Sequence, residues 1–549
     1  MPEIAGASYN SPSPGGDTDE FKSLKRRSMA AWGKRDTWTK VMQDAWDYIA
    51  PWRMSTRLYE KAPSNKTERI FDNTGPMSLV RSAGRLQQDL FPPGERWFEL
   101  EPGPGVQAAG GDPDQVRQEL EQLTNVLWPV FKTGEWDMAL IEMLMDLLIS
   151  TGFMMIIEGD EMKPVRFISA SMDEMAVDLG PYANIDGVFW KRKWARQAIT
   201  TNWPRGVFDA EFQEAARSNP EEQVMLYQDV IHTPKGFKLF IYTENAQNPI
   251  TTSVSLTKPW IHPRYFRLPG EAYGFGPGLL TLPTIKTLNK AEELTLKAAA
   301  LAMSGVFTRI DDGVFNPDTA RIQPGAMWTV ERNGGVLGPS IARLDVPGNM
   351  NVSNLILQDL RMQVRSGMYD EPAQPQQGQP VSATEIIQGW VQMAQDHAGA
   401  YGRLVSEIIM PIVPRVVEVL HHMGVVKTKL QIDQLLVSLK VTSPLAQAFN
   451  AARIKPRLDF MQLVSQIAGP QMLHQLMPVP VVLANIAHDM GLPGSEIYPQ
   501  NVQQAMMQAV QQMATAMAQQ IVAQQQQQQN PPAPNGDASQ QGAPGGPMQ

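Results

Sequence analysis

The chain has no cysteine, which excludes disulfides, thiolate catalysis and sulfur-based zinc sites and suits a reducing compartment. It also lacks any GxxxxGK[ST], HExxH or GxSxG pattern, so nucleotide hydrolysis on a phosphate loop, zinc proteolysis and the α/β-hydrolase elbow have no support. No run of Lys or Arg forms a polybasic arm, and 47 basic against 56 acidic residues leave a net charge of -9. Such a chain is not built to grip phosphates tightly. The start, with Pro2, Gly6, Pro12, Pro14, Gly15 and Gly16, has no apolar signal core and reads as a disordered arm over residues 1–20. Met138 to Ile157 approaches membrane length but carries Glu142, Asp146 and Gly152. An amphipathic helix running into a strand is expected there, its two acids on a solvated edge and not a catalytic pair. No membrane role, metal or cofactor is expected.

What is present is enough apolar residue, 43% of 549, to bury a core spread over several structural regions. Glu20 to about Gln88 reads as helical, with Trp32, Trp38, Trp46 and Trp52 among charges and Arg81, Arg85 and Asp89 along a second helix. Phe91-Pro-Pro-Gly94 stops that helix, and Trp97 to Leu100 begins an extended segment. Short strand patterns then dominate to about residue 260, as in Gly187 to Trp194 and Phe237 to Tyr242. The first half is therefore expected to be α+β.

Gly274, Gly276 and Gly278 are spaced like half a nucleotide loop. No GxGxxG completes them and Pro277 sits where a helix begins, so a strand-to-helix turn is expected. In the helix that follows, Lys286, Lys290, Glu293 and Lys297 recur at steps of four, three and four, on one stripe. The stripe admits either a DNA-facing role or a solvated face stabilised by Glu293. Ile285, Leu288, Leu294, Leu296, Ala298, Ala299 and Leu301 take much of the remaining circumference, so neighbours are expected on most sides. After turn signals and short β patterns to about Asn351, a second helix places Val352, Ile356, Leu360, Val364 and Met368 every four residues. Asn354, Gln358, Arg361 and Arg365 lie opposite.

Tyr369 to Val381 contains Pro372, Pro375 and Pro380, the glutamines Gln374, Gln376, Gln377 and Gln379, and two acids, Asp370 and Glu371, with no base. It reads as a mobile loop. Ser382-Ala-Thr-Glu385 is a capping box with Val381 and Ile386 as its staple, opening a helix that runs through Trp390, Leu404 and Val416 to about Met423. Pro411 and Pro414 should kink it. His421-His422 is expected to be a surface pair, since adjacent helical residues diverge by about 100°. Beyond Ser443-Pro-Leu-Ala-Gln447 the chain reads as helical, broken at Pro478, Pro480 and Pro493. A last stripe of Val502, Met506, Val510, Met513, Met517 and Ile521 is either a core helix or a self-associating one. From Gln524 the composition is of low complexity.

Five segments in order, Phe71-Asp-Asn-Thr-Gly75, Leu90-Phe-Pro-Pro-Gly-Glu-Arg-Trp-Phe98, Gly274-Phe-Gly-Pro277 with Leu288-Asn289, Ser382-Ala-Thr-Glu385 and Ser443-Pro-Leu-Ala446, make the chain resemble the head-to-tail connecting (portal) proteins of podoviruses. The family often shows a basic residue where Phe275 stands and Thr where Ser382 stands. The resemblance implies a non-enzymatic, α+β subunit of a ring, commonly of twelve, at the capsid vertex of a virion assembled in the host cytoplasm. It further implies a wing over residues 21–273, stem helices over 274–303 and 352–368, a clip over 304–351, a channel loop over 369–381, a long kinked wing helix over 382–424, a crown over 425–500, a barrel helix over 501–523 and a tail over 524–549. Lys286, Lys290, Lys297, Arg361 and Arg365 become candidates to meet DNA in the channel, and the Val502 to Ile521 stripe a candidate for closing a barrel. Implied partners are further copies of the chain, double-stranded DNA passing without sequence specificity, a terminase packaging motor, tail adaptors, and the major capsid and scaffolding proteins. The competing expectation is another capsid-associated or internal scaffold protein, which would image as shells or filaments instead of rings.

Overall fold

The computed structural model describes residues 18–52, 66–108, 112–304, 306–309, 341–344, 350–370, 399–426 and 437–446. Outside them lie the N-terminal arm, most of the expected clip, Glu371, Gln374, Gln376, Gln377 and Gln379, the Ser382 capping box, and everything from residue 447, including Val502, Met506, Val510, Met513, Met517 and Ile521.

The chain is α+β. Helices α1 (Thr18–Ile49) and α2 (Thr74–Leu90) lead to strand β1 (Phe98–Pro102), a short α3 (Gly105–Ala108), α4 (Pro113–Thr133) and α5 (Trp136–Ile149). The expectation that strands dominate from residue 100 is corrected here: α4 precedes them, its single Pro129 tolerated inside the helix. The break between α2 and β1 follows its sequence logic. Phe91 and Trp97 flank the Pro-Pro-Gly stop, Gly94 takes a left-handed φ of 86°, and the two rings pack edge to face at 5.0 Å. Phe98, Phe131, Trp136 and Phe167 complete a buried aromatic knot, the kind of contact that adds about 0.5–1.5 kcal/mol per pair beyond burial.

Strands β2 (Met154–Glu158), β3 (Val165–Ser169) and β9 (Trp260–Ile261) form one sheet in the order β3-β2-β9. A five-stranded antiparallel meander joins β4 (Met175–Leu179), β5 (Ile185–Ala195), β6 (Gln223–Thr233), β7 (Gly236–Thr243) and β8 (Thr251–Ser255), with α6 (Arg196–Asn202) and α7 (Ala210–Ser218) between β5 and β6. The first half of α1 lies on this meander, burying Phe21, Leu24 and Ala31 against Phe189, Phe240 and Tyr242.

Asp229, on β6, is fully buried and accepts a 2.6 Å hydrogen bond from Tyr242 Oη. Burial pushes its carboxyl up to about 7. The folded chain therefore holds a proton that the unfolded chain, titrating near 3.8, has released, and stability falls as pH rises between these values, by about 4 kcal/mol at most. Asp229→Asn is expected to remove this slope. Urea denaturation of both proteins at pH 5 and 7.5 checks it, and an unchanged difference between them at the two pH values would refute it.

Helix α8 (Pro277–Ser304) then runs to the antiparallel pair β10 (Val306–Arg309) and β11 (Ile341–Leu344), and α9 (Met350–Gly367) returns along α8. Residues 399–404 are helical and pass through a π turn, Val405–Ile409, into α10 (Met410–His422). The π turn sits directly before Pro411, so the ladder loosens where proline amides cannot donate. Strand β12 (Val437–Val441) pairs antiparallel with β1, Phe98 facing Val441. Val437, Leu439 and Leu445 belong to the same core as α2, α5 and α10, so the segment after residue 425 starts as part of the first α+β body.

Two further expectations are corrected. Glu142 is exposed, but Asp146 is buried and accepts the Met172 amide at 3.2 Å; the turn before β4 folds over it, so it is a structural acceptor and not a solvated edge. On α9 the covered face is Leu357, Val364 and Met368, while Ile356 is 51% exposed. A step of four residues drifts about 40° each time, so a four-step row leaves the packed face after two turns, whereas 357 and 364 stay within about 20°.

Candidate functional site

The described segments that carry the family resemblance turn out to be joints. Asn289, buried on α8, accepts the amides of Phe71 (2.7 Å) and Asp72 (3.3 Å) on Oδ1 and donates from Nδ2 to the Arg69 carbonyl (2.9 Å). Gly75 lies against Ile285, where a Cβ would stand 3.0 Å from Cγ2. At the start of α8, Ser150 Oγ donates to the Gly274 carbonyl (2.6 Å), and the Gly274 amide donates to Thr151 Oγ1 (2.9 Å). Gly276 passes so close to the α5 end that a Cβ would meet the Leu148 carbonyl oxygen at 2.1 Å, which is why that position needs glycine. The Trp97 and Arg96 carbonyls accept from the Thr442 amide and hydroxyl, tying the segment before Ser443-Pro-Leu-Ala446 to that around Phe98.

The candidate channel residues fall into different surroundings. Lys286 pairs with Asp44 of α1 at 2.5 Å. Lys290 and Lys297 are both exposed and both bind Glu293, whose carboxyl they hold below the usual range, the Lys297 hydrogen bond contributing most. Arg361 is partly covered and paired twice. Its Nε binds Asp72 Oδ2 at 2.8 Å and its Nη2 binds Glu292 Oε2 at 3.1 Å, so it bolts α9 to the joint that Asn289 makes. Arg365 is exposed. Asp370 is buried, accepting from Ser78 Oγ at 2.9 Å with Arg81 at 3.8 Å.

His421 and His422 diverge as their adjacency requires: His421 Nδ1 lies 3.0 Å from the Val426 carbonyl, and His422 Nδ1 lies 3.3 Å from Glu158. A carboxylate is thus nearer than the sequence reading allowed, within a group that also contains Arg415 and Glu418. No group of metal-ligating side chains occurs among the described residues, and none of their helices is long and apolar enough to cross a membrane. A cleft between α2, α5 and β3 is lined by Trp52, Glu142, Asp146, Glu174 and Arg192. Two of these three acids are occupied, Asp146 by a backbone amide and Glu174 by Trp190 Nε1 and Arg192, and Glu142 is exposed.

Along α8, Leu282, Ile285, Leu288 and Asn289 are buried, and from Lys290 to Ala300 no residue is. That exposed half still carries Leu294 (55% exposed) and Leu296 (49%), and α9 beside it carries Leu355 (70%), Ile356 and Met362. Leu294 and Leu296 are about 200° apart around the helix, so apolar surface is bare on two sides. The sequence indicated that these positions are apolar and that neighbours would be needed to cover the helix; the described residues leave these particular side chains half exposed or more.

What the described residues present is a set of structural joints, ion-paired helices and partly exposed leucines. The sequence model of the bacteriophage head to tail connecting protein family matches residues 22–498. The chain belongs to that family, and it is a structural component of a phage particle acting where head meets tail. No curated protein matches the sequence. Among solved structures, a chain described as "Virion of native gene transfer agent (GTA) particle" is similar at 11% identity, covering 73% of this chain and 88% of the other, with a TM-score of 0.31, a likeness too distant to carry an argument.

Proposed function

We propose that this chain is the portal subunit of a short-tailed bacteriophage, forming a ring at the capsid vertex through which double-stranded DNA is packaged and later ejected. The observation that carries the reading is the outer half of α8 with its neighbour on α9. A ring subunit makes a heterologous contact, so it needs two different sticky flanks, and leucines on both sides of one helix suit that need. In this reading α8 and α9 are the stem, β10 and β11 belong to the clip, residues 369–381 form the channel loop, and the segments beyond 446 supply the crown and barrel helix. The wing takes the meander and the aromatic knot. The clip would dock the terminase motor during packaging and tail adaptors afterwards, with capsid and scaffolding proteins at the wing.

The charge supports passage without capture. Twelve copies at -9 each carry about -108, and an acidic wall repels phosphates instead of releasing their counterions into tight binding. The ion pairs fit the same logic: Lys290 and Lys297 are answered by Glu293, and Arg361 by Asp72 and Glu292, leaving weak, salt-screened attraction. A base-free loop would then act as a soft constriction. Deleting Glu371 to Gln379 is expected to leave rings visible by negative stain and to lower DNA retention in filled heads several-fold. Full retention would remove the constriction; images without rings for the unaltered protein would remove the portal reading.

A further inference from the structure

Helix α9 ends in an unusual way. Tyr369 has a φ of 58°, the left-handed conformation that glycine normally supplies after a helix. The Tyr369 amide donates to the Ser366 carbonyl at 3.0 Å, and the Asp370 amide to the Arg365 carbonyl at 2.8 Å, so the end is a complete Schellman motif with a tyrosine in the glycine place. A non-glycine residue is disfavoured there and persists only where surrounding contacts impose it.

Those contacts come from one face of α2. Ser78, Arg81, Ser82 and Arg85 are spaced at three, one and three residues, hence on a single helical stripe. Ser82 Oγ donates to the Met368 carbonyl at 2.6 Å, Arg85 Nη1 to the Tyr369 carbonyl at 3.1 Å, and Ser78 Oγ to Asp370 Oδ2 at 2.9 Å. On its other side the Tyr369 ring stacks on Tyr265, centroids 6.3 Å apart. The stretch before α2 holds the same helix again at Asp72–Arg361.

We propose that α2 is a strut whose Ser78–Ser82–Arg85 edge latches the end of α9 in its left-handed turn, making these side chains positioning residues for the segment that leaves at Asp370. The inference rests on the portal reading only for what that segment does; the latch is a property of the described residues. It makes the wing helix α2, and not the stem alone, the element that decides where the loop starts. A displacement of α2 would shift the loop root directly, because three consecutive residues of that root are bound to it.

Hydrogen exchange of the assembled full-length protein tests the latch at the Tyr369 and Asp370 amides. Ser82→Ala with Arg85→Ala is expected to speed exchange there at least tenfold while α5 and the β5–β6 pair keep their protection. Tyr369→Gly, which removes the conformational cost and leaves both donors, is expected to keep or slow the wild-type exchange. Should the double variant unfold more widely, Ser82→Ala alone carries the test, with a smaller increase confined to residues 368–370. Unchanged exchange in a folded variant, or faster exchange in Tyr369→Gly, would overturn the latch. Faster exchange together with normal DNA retention in filled heads would leave the latch standing and count against the constriction.

Discussion

Replacing Leu294, Leu296 and Leu355 together with Glu is expected to leave a folded subunit that no longer assembles. The three side chains are about half to 70% exposed in the isolated chain, so their substitution removes little internal packing. If they are covered by neighbouring copies, each contributes in proportion to its bare part, and the triple change removes roughly 2.5–5 kcal/mol per interface, on the order of a hundredfold to a few thousandfold in Kd. Buried glutamates would add their own desolvation cost. Mass photometry of the unaltered protein should show a large particle, and that of the variant a single-chain mass with an unchanged far-ultraviolet dichroism spectrum. Wild-type assembly by the variant would mean that the outer half of α8 is not the contact that closes the ring.

The second large effect concerns the fold of the subunit. Arg415, buried on α10, donates from Nε to the Ile156 carbonyl (3.2 Å) and from Nη1 to Glu418 Oε2 (3.1 Å). Glu418 in turn accepts the Leu256 and Thr257 amides and the Thr257 hydroxyl, so it cannot turn away when its cation is removed. Arg415→Ala is therefore expected to cost about 3–5 kcal/mol, the range for breaking one side of a buried pair. Glu158, whose carboxyl burial already pushes up against the pull of His422 and Arg415, would lose a counter-charge as well. Adding Glu418→Gln to Arg415→Ala should recover part of the loss, since glutamine removes the unpaired charge and keeps an acceptor for the amides. Denaturant midpoints of the four proteins check this; additive losses would show that charge is not the source of the effect.

Much of the local structure was legible in the residues. Phe91-Pro-Pro-Gly94 ends a helix because two prolines cannot donate, and Gly274 to Pro277 turns a strand into a helix for the same kind of reason. The Lys290–Glu293–Lys297 ladder follows from spacing alone, since residues three and four apart share a helix face. Less was legible where an interaction is not periodic. Helix α4 was hidden by the strand-like reading of its surroundings, and β12 gave too short a signal to be separated from the segments that follow it. Arg361 was read as outward because its neighbours at 354, 358 and 365 are polar; a guanidinium on a long stem reaches around to Asp72 in a way that face assignment ignores. Asp370 looked like a loop acid and is the buried end of a hydrogen-bonded turn.

By itself the amino-acid order determined the absences, the stops and starts of the helices, the α+β character and the ordered set of segments that connecting proteins share, because each of these depends on a few adjacent residues and their backbone preferences. Only the tertiary structure decided that those segments are joints, Asn289 seated on Asp72 and Thr442 on Trp97, that Arg361 pairs with Asp72 and Glu292, and that Leu294, Leu296 and Leu355 are half exposed or more. Contacts between residues some two hundred or more positions apart, and the question of whether an apolar face is covered, depend on what the rest of the chain brings alongside, and no local pattern carries that information.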